Sequence, residues 1–258
     1  MIFDTHMHSE FSFDSKMTAK EIIDKQIEKK IGICLTEHVD LDLPELPFIN
    51  MDEYLDFYAK YKSNDFLVGI ELGMSKVNAN KTIDFADSNK NKVDILIGSI
   101  HTLYGKDIFY LMKEIDIEKN IVYKDYLENM LFCVKHFDFF DTLAHIDYIC
   151  RYSTYTDTEL YLEDFKDIID EIFTVLIKKN KCLELNTRRL NSKDASNSIL
   201  ALFKRYKELG GKYVTLASDS HSKDAIAINF DIAINIIKKL DLTAVYFKNR
   251  IMTIIEEV

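Results

Sequence analysis

Ile2-Phe3-Asp4-Thr5-His6-Met7-His8 is a short apolar run that ends in two histidines. Further on, Thr18-Ala19-Lys20-Glu21-Ile22-Ile23-Asp24-Lys25-Gln26-Ile27-Glu28-Lys29-Lys30 leads directly into a second run, Ile31-Gly32-Ile33-Cys34-Leu35. Residues 18–30 set Ile22, Ile23 and Ile27 on one helical face, and Thr18 followed by Glu21 has the form of a capping box. The reading is strand, helix, strand. Runs with no polar alternation suit parallel strands buried on both faces. Five more follow: Phe66-Leu67-Val68-Gly69-Ile70, Val93-Asp94-Ile95-Leu96-Ile97, Phe139-Phe140-Asp141-Thr142-Leu143-Ala144, Cys182-Leu183-Glu184-Leu185 and Tyr213-Val214-Thr215-Leu216-Ala217. Residues 161–179 and 225–240 predict helices between or after them. Residues 40–56 are acidic and hold both prolines, Pro44 and Pro47, so the first half of that stretch predicts a loop beyond the second strand. No repeat or low-complexity tract divides the chain, and one α/β domain over residues 1–258 is expected.

Composition narrows the function classes. The 258 residues are 47% hydrophobic and 29% charged, which suits a folded globular protein large enough to bury a core. The formal charge of −10 repels nucleic-acid backbones and anionic membranes, so neither partner is expected. Only 7 glycines are present, and no Gly-rich phosphate loop motif occurs. Cys34, Cys133, Cys150 and Cys182 are widely spaced, without a CxxC pair, and read as reduced thiols. With no basic and apolar leader and no long apolar window, a cytoplasmic protein is expected.

Histidine placement decides the chemistry. Of the 7 histidines, all but His136 fall at the ends of apolar runs, in company with carboxylates: His6 and His8, Glu37 and His38, Glu71, His101, His145, and Asp219 with His221. In parallel α/β folds the carboxyl ends of the strands form the edge on which sites are built. His6 and His8, two apart on a strand, point the same way, and Asp219-Ser220-His221 repeats that spacing. HxH alone is a weak motif; the joint pattern is not. Imidazole with carboxylate suits zinc, manganese or iron, and thiolates are absent from the set.

Taken in order, Asp4-Thr5-His6-Met7-His8, Thr36-Glu37-His38, Gly69-Ile70-Glu71, Gly98-Ser99-Ile100-His101, Ala144-His145-Ile146-Asp147, Glu184-Leu185-Asn186-Thr187 and Ala217-Ser218-Asp219-Ser220-His221 resemble the polymerase and histidinol phosphatase (PHP) superfamily, and within it the histidinol-phosphate phosphatases. The resemblance spans about residues 1–240. It implies a distorted seven-stranded (β/α)7 barrel with three divalent metal ions at the strand carboxyl ends. One ion would be held by His6, His8, Glu71 and Asp219, and a second by Glu71, His101 and His145. The third would take His38, His221 and an acid from the loop after the first strand, Asp14 with Glu10 as competitor. Many relatives carry aspartate where this chain has Glu37.

Paired metals lower the pKa of a shared water, and attack of the resulting hydroxide on phosphorus needs no protein nucleophile, of which none is evident. Arg151 and Arg188 resemble the phosphate-contacting arginines of the phosphatase branch, with Arg189 a substitute if the sixth strand ends one residue later. Asp40, Asp42 and Glu45 on the second-strand loop are candidates to receive a cationic substrate such as histidinol phosphate. Hydrolysis of a small phosphate monoester is therefore expected. The alternatives are a related phosphoesterase acting on nucleotides and a non-catalytic metal-binding module.

Overall fold

Thr18 caps the first helix as its spacing predicts: its hydroxyl accepts from the Glu21 N–H while Glu21 accepts from the Thr18 N–H. That helix follows β1 (Phe3–Asp4) and is α1 (Ala19–Lys29); β2 (Gly32–Val39), α2 (Met51–Ala59), β3 (Phe66–Gly73), α3 (Ala79–Asn89) and β4 (Leu96–Ser99) follow. A small hairpin, β5 (Thr102–Leu103) with β6 (Lys106–Asp107), then α4 (Ile108–Glu114) and α5 (Lys119–His136), lead to β7 (Thr142–Leu143). α6 (Tyr148–Tyr152), α7 (Lys166–Lys178), β8 (Cys182–Asn186), α8 (Lys193–Glu208), β9 (Tyr213–Ala217), α9 (Phe230–Leu240), β10 (Thr243–Lys248) and β11 (Ile251–Ile254) complete the chain. The computed structural model describes residues 1–47 and 49–256. The expected domain runs to Val258, so its last two residues, like Phe48 in the expected loop, lie outside the described residues.

The main sheet has the order β1-β2-β3-β4-β7-β8-β9-β10-β11, parallel throughout except for β11. It curls. Beyond β1 and β9 the two chains meet again: the Thr5 N–H donates to Leu216 O, the Asp219 N–H to His6 O and the His8 N–H to Ser220 O, each at 2.9 Å. Lower down, β9 pairs instead with β10, from Tyr213 opposite Thr243 to Thr215 opposite Val245, and Tyr246 stacks on Phe3 with ring centroids 3.9 Å apart. β10 is therefore wedged between β9 and β1 at the amino-terminal end of the sheet, while the carboxyl end closes on itself. Apolar side chains of the strands and of α5, α7 and α8 form one large core, and a second lies between β2 and β3 and the helices α1 and α2. Gly69 is required by close approach: a Cβ there would meet Ile95 O at 2.7 Å.

The expected α/β class holds, and the differences have local causes. The fourth expected run starts late because Asp94 is a turn residue whose side chain accepts from the Val68 and Asn249 N–H groups. The fifth shrinks to Thr142–Leu143, since the Asp141 carboxylate takes the Leu96 N–H and the Arg250 guanidinium instead of extending the ladder. The helices predicted from residues 161 and 225 begin at Lys166 and Phe230. On α1 the buried face is Ala19, Ile22 and Gln26, and Ile27 is exposed. The β10–β11 hairpin is unannounced in the sequence because Asn249 and Arg250, not glycine, adopt the left-handed turn. No helix among the described residues is long and apolar enough to cross a membrane.

Candidate metal centre

Just beyond β1, His6 and His8 flank an isolated bridge of Met7 with Ser220, and their Nε2 atoms lie 3.1 Å apart. Parallel pairing of β2 with β3 sets His38 opposite Glu71. Glu71 is fully buried and central: its Oε2 lies 3.2 Å from His6 Nε2, 3.4 Å from His8 Nε2 and 2.9 Å from His38 Nδ1. Its Oε1 lies 3.1 Å from His101 Nε2 and 3.0 Å from His145 Nε2, and accepts from the Ser99 hydroxyl at 2.5 Å. Asp219, at φ 51°, turns its Oδ1 to within 3.4 Å of His8 Nε2 and 3.9 Å of His6 Nε2. Aspartate tolerates that left-handed backbone better than most residues. Across the rim, Asp14 reaches His221 Nε2 at 3.0 Å and His38 Nε2 at 3.6 Å, and the two imidazoles are 3.4 Å apart. Glu10 is exposed, with its backbone N–H on Met17 O.

Three of these six histidines are held from behind by side chains. His6 Nδ1 donates to Glu184 Oε2 at 2.9 Å, and His101 Nδ1 donates to Asp40 Oδ1 at 2.8 Å. Gly73 makes room for Asp40, because a Cβ there would collide with Oδ1. His8 Nδ1 lies 3.1 Å from the Ser12 hydroxyl, which donates to Glu37. Glu37 also accepts from the Ser9 N–H and hydroxyl, so it braces the loop carrying Asp14 and does not face the cluster. Such backing fixes the tautomer that a ring presents.

The donor atoms form three groups spanning no more than 4.8 Å each: His6, His8 and Glu71; His8, His38 and His221; and His38, Glu71 and His101. Burial pushes the Glu71 carboxyl up, but His6, His101 and His38 outweigh it and hold Glu71 well below the usual carboxylate range. His8 is pushed well below its ordinary value by burial and by His38 and His221. Burial works against charge on His38 too, yet Glu71 and Asp14 raise it to about 10. Glu71 Oε2 and His38 Nδ1 face each other at 2.9 Å out of hydrogen-bond alignment, and with His145 Nδ1 they are buried without a hydrogen bond. Orphaned donor atoms in a cluster of imidazoles and carboxylates fit divalent cations and are costly otherwise.

The arginines separate by role. Arg188 Nη1 donates to Asp219 O at 2.9 Å and lies 3.2 Å from His221 Nδ1, with a side chain 36% exposed toward the rim. Arg151 Nη1 donates to Asp219 Oδ2 at 2.7 Å. Arg189 has its guanidinium tied to Asp147 at 2.6 Å and Glu159 at 2.5 Å. It is therefore no substitute for Arg188. Beside the cluster opens a cavity of about 330 Å³, whose walls include Phe109, Tyr110, Tyr148, Tyr152, Asp40 and Asp107. Of the three loop acids, only Asp40 lines it; Asp42 accepts from the Thr102 hydroxyl at 3.4 Å, and Glu45 is exposed.

The family profile for the PHP domain matches residues 4–188. The chain belongs to the PHP domain family. This PHP protein is 41% identical over 257 residues to a Clostridium acetobutylicum protein named "Probable histidinol-phosphatase", covering 98% of this chain and 99% of that one. It is 31% identical to the Lactococcus lactis protein named "Histidinol-phosphatase", over 92% of this chain and 90% of that one. The solved Lactococcus lactis histidinol phosphate phosphatase, complexed with zinc, L-histidinol and phosphate, has a TM-score of 0.88 to this PHP chain at 29% identity, covering 98% of each. A structure from Listeria monocytogenes, at 17% identity and a TM-score of 0.67, bears on the fold alone.

Several members of the PHP site escape a reading of strand ends. Ser12 and Ser99 carry no metal-binding signal, and Tyr148, whose ring centroid is 4.7 Å from that of His145, lies in a helix. Phe109 and Tyr110 reach the cavity from α4. The one available hint was spacing: Tyr148 and Tyr152 are four apart on α6, a helical face directly after His145.

Proposed function

We propose that the protein is a histidinol-phosphate phosphatase, a metal-dependent enzyme that converts L-histidinol phosphate and water to L-histidinol and phosphate. It works as a single domain of residues 1–258, a distorted (β/α)7 barrel, in the cytoplasm. Full-length likeness to proteins named histidinol-phosphatase supports this, as do four buried cysteines without a disulfide. The observation that carries the reading is the meeting of imidazole and carboxylate donors from six strand ends around Glu71, with Arg188 and an aromatic cavity alongside. Three divalent ions of zinc, manganese or iron are held by His6, His8, Glu71 and Asp219; by Glu71, His101 and His145; and by Asp14, His38 and His221. When bound, such ions supply Lewis acidity that makes water nucleophilic near neutral pH and offsets phosphoryl charge.

The chain's own residues do the rest. Arg188 and Arg151 offer planar forks for phosphoryl oxygens on the Asp219 side of the cluster. The cavity walls exclude water from the leaving group, and the faces of Tyr148 and Phe109 with the Asp40 and Asp107 carboxylates suit a substrate bearing an ammonium and an imidazole. Glu37, through Ser12, keeps His8 oriented and the Asp14 loop folded inward. A turnover panel tests the reading: histidinol phosphate should be hydrolysed with a kcat/KM well above those of mononucleotides and aryl phosphates. Equal turnover across the panel would replace it with a general PHP phosphoesterase.

A further inference from the structure

Glu184 is 1% exposed, and its one ion-pair partner among the described residues is His6. Among the described residues no lysine or arginine forms an ion pair with it. Burying a carboxylate against a single imidazole is expensive, and a glutamine of the same shape would avoid the charge. The hydrogen-bond geometry says why glutamine would fail. Glu184 Oε2 accepts from His6 Nδ1 at 2.9 Å, while Oε1 accepts from the Asn186 amide at 2.9 Å and from the His145 N–H at 3.3 Å. All three partners are donors, and only a side chain that accepts on both oxygens satisfies them. A glutamine that turned its oxygen to His6 would point its NH₂ at two other donors. Asn186 has no easy flip, because its Oδ1 accepts from the Arg188 N–H at 3.1 Å.

We propose that Glu184 is a positioning residue of the metal centre: it holds His6 as the Nδ1–H tautomer, so that Nε2 faces the cation, and anchors the chain at His145 with its other oxygen. The proposal rests on the metal-dependent reading above. His6 and His145 meet different oxygens of Glu71, Oε2 and Oε1 respectively, so one buried charge braces both halves of the cluster. A carboxylate behind a ligating imidazole also raises the basicity of the ring and hence its hold on a cation.

Two measurements test it. In the zinc-loaded wild-type protein, long-range proton–nitrogen correlation should find the His6 proton on Nδ1 and none on Nε2; a proton on Nε2 overturns the proposal. In zinc titrations of apoprotein against a chromophoric chelator, Glu184→Gln should weaken the most affected ion by roughly 10- to 100-fold, the usual effect of losing such a partner. Asn186→Ala, which removes the Asn186 donor to the same carboxylate together with the acceptor for the Arg188 N–H but leaves the Glu184 charge and its His6 contact in place, should leave zinc affinity close to wild type. Equal affinity of Glu184→Gln and wild type, or equal losses in both variants, would reduce Glu184 to a packing role and overturn the proposal. If Glu184→Gln does not fold, the wild-type tautomer decides. A wild-type protein that takes up no zinc, manganese or iron would overturn the phosphatase reading as well, which separates the two failures.

Discussion

Chelation should unfold the protein as well as silence it. The donors come from six strand ends, β1, β2, β3, β4, β7 and β9, and His6, His8 and Glu71 are fully buried, so cations held there bind the folded chain and find no such site in the unfolded one. An ion present at 100 times its Kd then contributes about 2.7 kcal/mol, and three ions about 8 kcal/mol. For a chain of 258 residues the entropy of unfolding is about 0.54 kcal/mol/K. Removing the ions should therefore lower Tm by about 5 °C for each, or about 15 °C for all three. Scanning calorimetry of zinc-loaded and chelator-dialysed protein, with turnover measured on the same samples and after zinc is returned, checks this. Activity that vanishes on chelation while Tm stays where it was would refute the reasoning, because the cations would then not be tied to the fold.

Arg188→Ala should lower kcat/KM for histidinol phosphate by about 100-fold through loss of a charged phosphate contact. Arg189→Ala should instead lower stability by about 3 kcal/mol in urea unfolding, because it strands the Asp147 and Glu159 carboxylates, both under 10% exposed. Arg250→Ala should cost about 3–5 kcal/mol in the same assay: it leaves the buried Asp141 carboxylate without its charged partner and frees the β10–β11 turn from beneath β7. The Arg205 fork, with Lys166 beside it, holds Asp170 at about 2, below its ordinary value of 3.8. That pairing is fully present above pH 4 and fades as pH falls through 2, so Asp170→Asn should flatten the acid limb of the stability curve by at most about 1 kcal/mol.

The strands were legible where burial on both faces left unbroken apolar runs, as in Cys182–Asn186 and Tyr213–Ala217, which stand within a residue of their expected bounds. They were illegible where a polar side chain substitutes for the ladder, as Asp94 and Asp141 do, since single residues like these look like interruptions only after folding. The C-terminal hairpin hid because Asn249 and Arg250 turn without glycine, and β11 exposes Ile251 and Ile254. At the site, the histidine positions could be read because strand alternation and strand ends are one-dimensional signals. Their supports could not. The side chains behind His8 and His101 lie 4 and 61 residues away in sequence, and a serine or aspartate in a loop carries no mark of the imidazole it will meet. Glu37 is the reverse case, a carboxylate inside a metal motif that turns to Ser9 and Ser12 and works on the loop.

The most direct test of the central claim is elemental analysis of the purified protein beside its turnover of histidinol phosphate. About three equivalents of zinc, manganese or iron per chain are expected, with hydrolysis that falls in step with metal content as chelator is added. Hydrolysis that persisted in protein stripped of metal would contradict it.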